Sequence, residues 1–201
     1  MLGGEKNMVT QHSQNLEEDF ARLRAKLSDR QFLANKGIGN EVGFFVFPYD
    51  ASREDEVRVR TAALVRLSDG GKLPCRIVRR DLWAVFLQIC ERRRILGKIS
   101  DLELRRGSRA LLDRLQKIAT PEAFVQAMDY EPHEPGRDVL LVTGVGKVYP
   151  IVRAHSILEN AQHVFADVPV VLLYPGTYDG AQLHLFNSIS DGNYYRAFNL
   201  L

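Results

Sequence analysis

The chain has 201 residues, 45% of them hydrophobic and 26% charged, with a formal net charge of +2, a balance that suits a globular domain with one full core. No apolar run approaches the roughly 20 residues of a membrane helix, and the opening "MLGGEKNMVTQHSQ" has no signal-peptide core. The expectation is a cytoplasmic protein with no membrane partner, loosely ordered over residues 1–12 and folded as one α/β domain over 13–201.

The amphipathic stretch "SQNLEEDFARLRAKL" places Leu16, Phe20, Leu23 and Leu27 on one face, an N-terminal helix capped by Ser13 or Asn15. A turn at "NKGIGNE" leads to a buried strand at Gly43–Phe47, closed by Pro48. "SREDEVRVRTAALVRLSDGG" is a helix with a Ser52 cap, an acidic first turn and a Gly70-Gly71 stop. "CRIVRR" is a short strand, and Asp81 caps the nearly all-apolar helix "LWAVFLQICERRRIL". Helices follow at "SDLELRRGSRALLDRLQKI" and at "TPEAFVQAM", the second with Thr120 as cap and Pro121 in its first position.

Beyond the linker "EPHEPGR", the runs "DVLLVTGV" and "VPVVLLYPG" have the continuous apolarity of central parallel strands, with "YPIVRAHSILENAQHVF" helical between them. "QLHLFNSI" suits an edge strand, and "NYYRAF" a C-terminal piece packed on the sheet. Alternating strands and helices predict a single three-layer Rossmann-like α/β domain. Its sheet is mostly parallel, with about four to five strands, an N-terminal helix and a helical middle.

Charge is unevenly spread. Between Arg53 and Lys117 there are 17 Lys and Arg against 9 Asp and Glu, and the rest of the chain has 10 against 16. A patch formed by Arg92, Arg93, Arg94, Arg105 and Arg106 suits DNA or an acidic protein surface, although a solvated helix face has the same composition. Aromatic residues are not interleaved with these arginines, as single-strand binding would require.

Ligands of parallel sheets bind beyond the carboxyl ends of the strands, which here carry "TGVGK" and "YPGTYDG". The candidate rim is Thr143, Gly144, Gly146, Lys147, Arg153, Tyr174, Thr177, Tyr178 and Asp179. A phosphate-binding P-loop needs GxxxxGK(S/T), but Leu141 stands at its first glycine and Val148 at its hydroxyl. Tyr149 likewise replaces the third glycine of a dinucleotide fingerprint. What remains is a glycine turn, a lysine and a helix start with Pro150 in its first turn, which suits either an anion or a plain tight turn.

Arg153, His155, Glu159 and His163 lie along one helix, but the two histidines are eight apart rather than the four of HExxH, so no metal is expected. His133 falls in the linker and is expected to be exposed. Glu41 and Asp179 are a possible carboxylate pair at the rim, equally explained as capping and turn residues. Cys75 and Cys90 lack metal-spaced partners and read as buried thiols. No hydrolase elbow is present. The residues point to no catalytic centre and no cofactor.

The strings "FLANKGIGNEVGFFVFPY", "VLLVTGVGKVYPIVRAHSILENAQHVFADVPVVLLYPGTYDGAQLHLF" and "NYYRAFNL" resemble the BrxB family, a domain of unknown function from BREX bacteriophage-resistance systems. The resemblance runs from about Phe32 to the end and is least distinctive in the helical middle. It implies a cytoplasmic component of a multi-protein defence system that tells methylated host DNA from phage DNA. Partners implied by it are a PglZ-like protein of alkaline-phosphatase fold first, then the methyltransferase and the ATPase. It brings no catalytic motif.

Two roles follow from this reading. The first is a non-catalytic adaptor docking through Tyr149, Tyr174, Tyr178, Tyr194, Tyr195 and Arg196. The second is a degenerate nucleotide-, phosphate- or DNA-binding module using Lys147, Arg153 and the arginine patch.

Overall fold

The computed structural model describes residues 15–35, 43–190 and 197–201. Its elements in chain order are α1 (Leu16–Lys26), α2 (Arg30–Leu33), β1 (Phe44–Tyr49), α3 (Glu54–Asp69), β2 (Arg76–Asp81), α4 (Leu82–Arg92), α5 (Ile99–Ile118) and α6 (Pro121–Met128). These are followed by β3 (Asp138–Thr143), α7 (Val145–Val148), α8 (Ala154–Ala161), β4 (Val170–Tyr178), β5 (Leu183–Leu185), β6 (Ile189–Ser190) and β7 (Phe198–Asn199).

The strands are ordered β2-β3-β4-β1-β7, every neighbouring pair parallel, and a β5–β6 hairpin extends antiparallel from the far end of β4. The connection from β1 to β2 crosses the sheet in one direction, whereas those from β2 to β3 and from β3 to β4 return in the other. Because each crossover is right-handed, α3 must lie on one face and α4–α8 on the opposite one. The two cores obey that requirement. Phe47, Tyr49, Ile77, Leu141, Val171 and Leu173 pack against α1–α3, while Val46, Leu140, Val142, Leu172 and Tyr174 pack against α4–α8. This is the three-layer α/β arrangement, and it explains the continuous apolar runs: alternate residues of β3 and β4 face two different cores.

Asn15 caps α1, Asp81 caps α4 through the Ala84 amide, and Thr120 caps α6 with Pro121 in its first turn. β1 runs through Pro48 to Tyr49 rather than closing at the proline, and further local expectations change. The chain into α3 is capped by Asp50, whose carboxylate accepts from the Ser52 amide and opens a 3-10 turn at Ala51–Arg53; the carboxylate two residues upstream takes the place expected of the Ser52 hydroxyl. α5 is two helical halves broken at Gly107, where φ 79° and ψ 161° lie outside the helical region. "QLHLFNSI" forms the β5–β6 hairpin rather than one edge strand, because φ is positive at Phe186 and Asn187. Pro150 lies outside any helix: α7 ends at Val148, and Tyr149 before the proline is extended.

Buried Asp138 ties the amino-terminal ends of the strands together. It accepts from Arg76 Nε at 2.7 Å, Arg76 Nη2 at 2.6 Å and the Glu134 amide at 2.9 Å. His133 is partly buried rather than exposed. Its ring nitrogens lie 2.9 Å from Asp167 and 3.1 Å from Asp129, and the ring stacks on Phe165. Two carboxylates and an aromatic wall outweigh the linker composition. The Cys75 thiol is pushed up to about 11 by burial, and Cys90 is raised for the same reason; both are free. No described helix is long and apolar enough to cross a membrane.

Candidate functional site

The carboxyl ends of β1, β2, β3 and β4 border a small cleft on the α3 side of the sheet. Tyr49 closes β1, Arg79 and Asp81 close β2, Thr143 and Gly144 close β3, and Leu173 of β4 lies beneath. The cleft sits beside the point where successive connections diverge, since β1 leads to α3 on one face and its neighbour β4 continues on the other. Parallel sheets place ligands at such a point.

Pairing puts Asp81 directly opposite Thr143 in the β2–β3 ladder. The Thr143 hydroxyl donates to Asp81 Oδ2 at 3.1 Å, and the other carboxylate oxygen accepts from Ala84. Gly144 then turns the chain with φ 77°, and a Cβ there would come within 2.9 Å of the Asp81 carboxylate. That close approach explains the first glycine of "TGVGK". The second has a different cause: a Cβ on Gly146 would lie 2.8 Å from the Phe186 ring. Across the cleft the Tyr49 hydroxyl donates to Glu54. Burial first, and then the Glu54 carboxylate, raise the Tyr49 pKa far above its ordinary range, so this phenol stays neutral.

The rim expected from sequence divides in two. Thr143, Gly144 and Lys147 line the cleft, whereas Tyr174 and Tyr178, 1% and 2% exposed, are buried in the opposite core. These two tyrosines are structural and unavailable as docking anchors; Tyr149 also packs partly buried against that core. Thr177 pairs with His184 in the β4–β5 ladder. Asp179 is a turn residue whose carboxylate accepts from the Ala181 and Gln182 amides, which hold its pKa below the usual range. Arg153 occupies the cap position of α8 and does not line the cleft. Glu41, Tyr194, Tyr195 and Arg196 lie outside the described residues.

The expected face of His155, Glu159 and His163 does not assemble, because His155 is buried at 7% exposure while Glu159 and His163 are exposed. Among the described residues no group of three or more His, Cys, Asp or Glu side chains is placed to hold a metal ion. Sequence reading overlooked Tyr49, Arg58, Thr61 and Arg79. Tyr49 and Arg79 were detectable as residues at strand carboxyl ends, whereas Arg58 and Thr61 require knowing which face of the sheet α3 covers.

The arginine patch forms a second surface. Arg92, Arg93 and Arg94 are exposed at and beyond the end of α4, and Arg105 and Arg106 are exposed before the Gly107 break. That break lets Leu102 and Arg106 of the first half of α5 border one groove of about 290 Å³ with Leu111, Arg114 and Lys117 of the second half. Leu104, 86% exposed, and Leu96, 40% exposed, lie in the same stretch.

The family model for "BREX protein BrxB" matches residues 78–200, which include the helical middle and both apolar strands. The chain belongs to the BrxB family. A relative from Bacillus cereus (strain H3081.97), a BREX protein BrxB, is 38% identical over 190 residues, spanning 92% of this chain and 97% of the relative. The BREX protein BrxB of Escherichia coli O9:H4 (strain HS) is 28% identical over 187 residues, spanning 92% of each chain. No solved structure gives a significant match. In this BrxB chain, the cleft and the basic arm are two surface features from which a role can be argued.

Proposed function

We propose that the protein is a non-catalytic component of a BREX phage-defence system, an adaptor that docks onto another protein of that system through its basic helical arm. The carrying observation is the composition of Arg92–Lys117. It has nine Lys or Arg against three Asp or Glu, every one of the nine exposed. Of these nine, Arg109 has an ion-pair partner, Asp113, among the described residues. Leucine side chains stand exposed among them at 96 and 104. Arginine and bulky apolar side chains together supply the anchors of protein interfaces. A surface built only for phosphates gains nothing from Leu104. The matching partner surface is acidic with apolar pockets, and a PglZ-like protein is the first choice.

The test is co-purification with the tagged chain from cells carrying the whole defence operon, at low and high salt, with and without nuclease. A stoichiometric BREX protein that survives nuclease and is lost with Leu104→Ser plus Arg106→Ala supports the adaptor. Nucleic acid retained at low salt without a protein partner supports the second role, DNA binding, because phosphate contacts are strongly salt-dependent.

A further inference from the structure

We propose that the cleft at the carboxyl ends of β1–β4 binds a small oxyanion: phosphate, or the terminal phosphoryl group of a phosphate monoester. The site is separate from the docking arm, and three observations carry it.

The first is size. The cavity is about 70 Å³, against roughly 300 Å³ or more for sites that enclose a drug- or nucleotide-sized ligand. It has room for a few waters or one tetrahedral anion, so the remainder of any larger ligand would lie outside.

The second is charge. Arg58 of α3, Arg79 of β2 and Lys147 of α7 reach the cleft from three elements. Arg79 and Lys147 have no ion-pair partner among the described residues, and Arg58 has only Asp55, itself 92% exposed. A pair so open to water exchanges its partner at little cost. Three cationic side chains thus stand against two carboxylates, Glu54 turned to the Tyr49 hydroxyl and Asp81 to Thr143 and Ala84, which leaves the cleft with a positive excess.

The third is an unsatisfied donor. Thr61 forms part of the cleft wall at 2% exposure, and its hydroxyl has no hydrogen-bond partner among the described residues. Buried hydroxyls are normally paired, and an orphan one in a functional cleft calls for an acceptor. An anion oxygen supplies it. Charge-assisted bonds from arginine and lysine are the strong class of such contacts.

The experiment is a titration of the full chain with inorganic phosphate, followed by amide ¹H–¹⁵N spectra, with sodium chloride at equal ionic strength as the control. Saturable shifts at Thr61, Gly144 and Lys147, absent with chloride, are the expected result. Arg79→Gln and Lys147→Gln should each weaken binding roughly ten-fold, the scale of one charged hydrogen bond. Thr61→Val should also weaken it while leaving the melting temperature unchanged or higher, because it replaces an orphan hydroxyl with a methyl group. A second arm uses adenosine monophosphate: affinity equal to phosphate identifies a free anion, and tighter binding identifies an esterified one. Shifts that fail to saturate, that chloride reproduces, or that persist undiminished in folded Arg79→Gln and Lys147→Gln proteins overturn the site.

Discussion

Arg76 and Asp138 face each other at the start of β2 and β3, joined by two charged hydrogen bonds of 2.7 and 2.6 Å onto a carboxylate with no exposed surface. Burial alone would raise the carboxyl's pKa. Arg76 and the Glu134 amide reverse that and hold it below the usual carboxylate range.

Arg76→Ala should therefore cost about 2–4 kcal/mol, because it leaves a buried carboxylate short of its partner; the half-exposed guanidinium keeps the loss below that of a fully enclosed pair. Urea denaturation measures it. The depressed folded pKa means that the pair's contribution is fully present above the ordinary carboxyl value and lost as pH falls through the folded one. The wild type should lose this increment in acid, and Arg76→Ala should not.

His133 should give the opposite slope. Burial lowers its pKa, but the Asp167 and Asp129 carboxylates outweigh burial and raise it. Stability from this group is complete below the unfolded histidine value and disappears as pH rises through the folded one. Melting temperatures across about pH 5 to 8 should decline more in the wild type than in His133→Gln. Equal slopes would mean that the ring carries no charge between Asp129 and Asp167.

Gly107→Ala tests the break in α5. No atom lies within 4 Å of an added Cβ, so the conflict is with the backbone at φ 79°. Holding alanine there costs about 1–3 kcal/mol, and fusing the two halves into one helix relieves it. Spin labels at Leu102 and Asp113 should move apart, helical circular dichroism should rise, and capture of the arm's partner should fall.

Leu172→Asp should abolish soluble expression. Leu172 is 2% exposed in β4, paired with Val142 on one side and Val46 on the other. An unpaired carboxylate there has no water and no partner. Soluble, cooperatively melting mutant protein would refute this assignment.

The local signals in the chain were readable wherever one residue decides the outcome. Asp81, Thr120 with Pro121, and the apolar runs of β3 and β4 all mark their elements. Signals failed where two compete: Pro150 suggested a helix start but belongs to the turn after α7, and Gly107 lies inside a helical pattern that it interrupts. His133 looked exposed because its partners Asp129 and Asp167 are distant in kind, one local and one from the loop before β4. The cleft was half legible. Thr143, Gly144 and Lys147 form a contiguous motif, whereas Arg79, Tyr49 and Thr61 join them only through a strand order that no local pattern encodes.

The family match begins at Val78, inside β2, yet β1, some thirty residues upstream, occupies the sheet between β4 and β7. Residues 78–200 produced alone would lack β1, the strand Phe44–Tyr49 that pairs with β4, baring the hydrogen-bonding edge from Val170 to Pro175. An open, apolar edge of that kind recruits strands from other molecules. A fragment cut to the matched segment should therefore associate through its open β4 edge, so that β1 works as the seal that keeps one copy of the sheet from joining another.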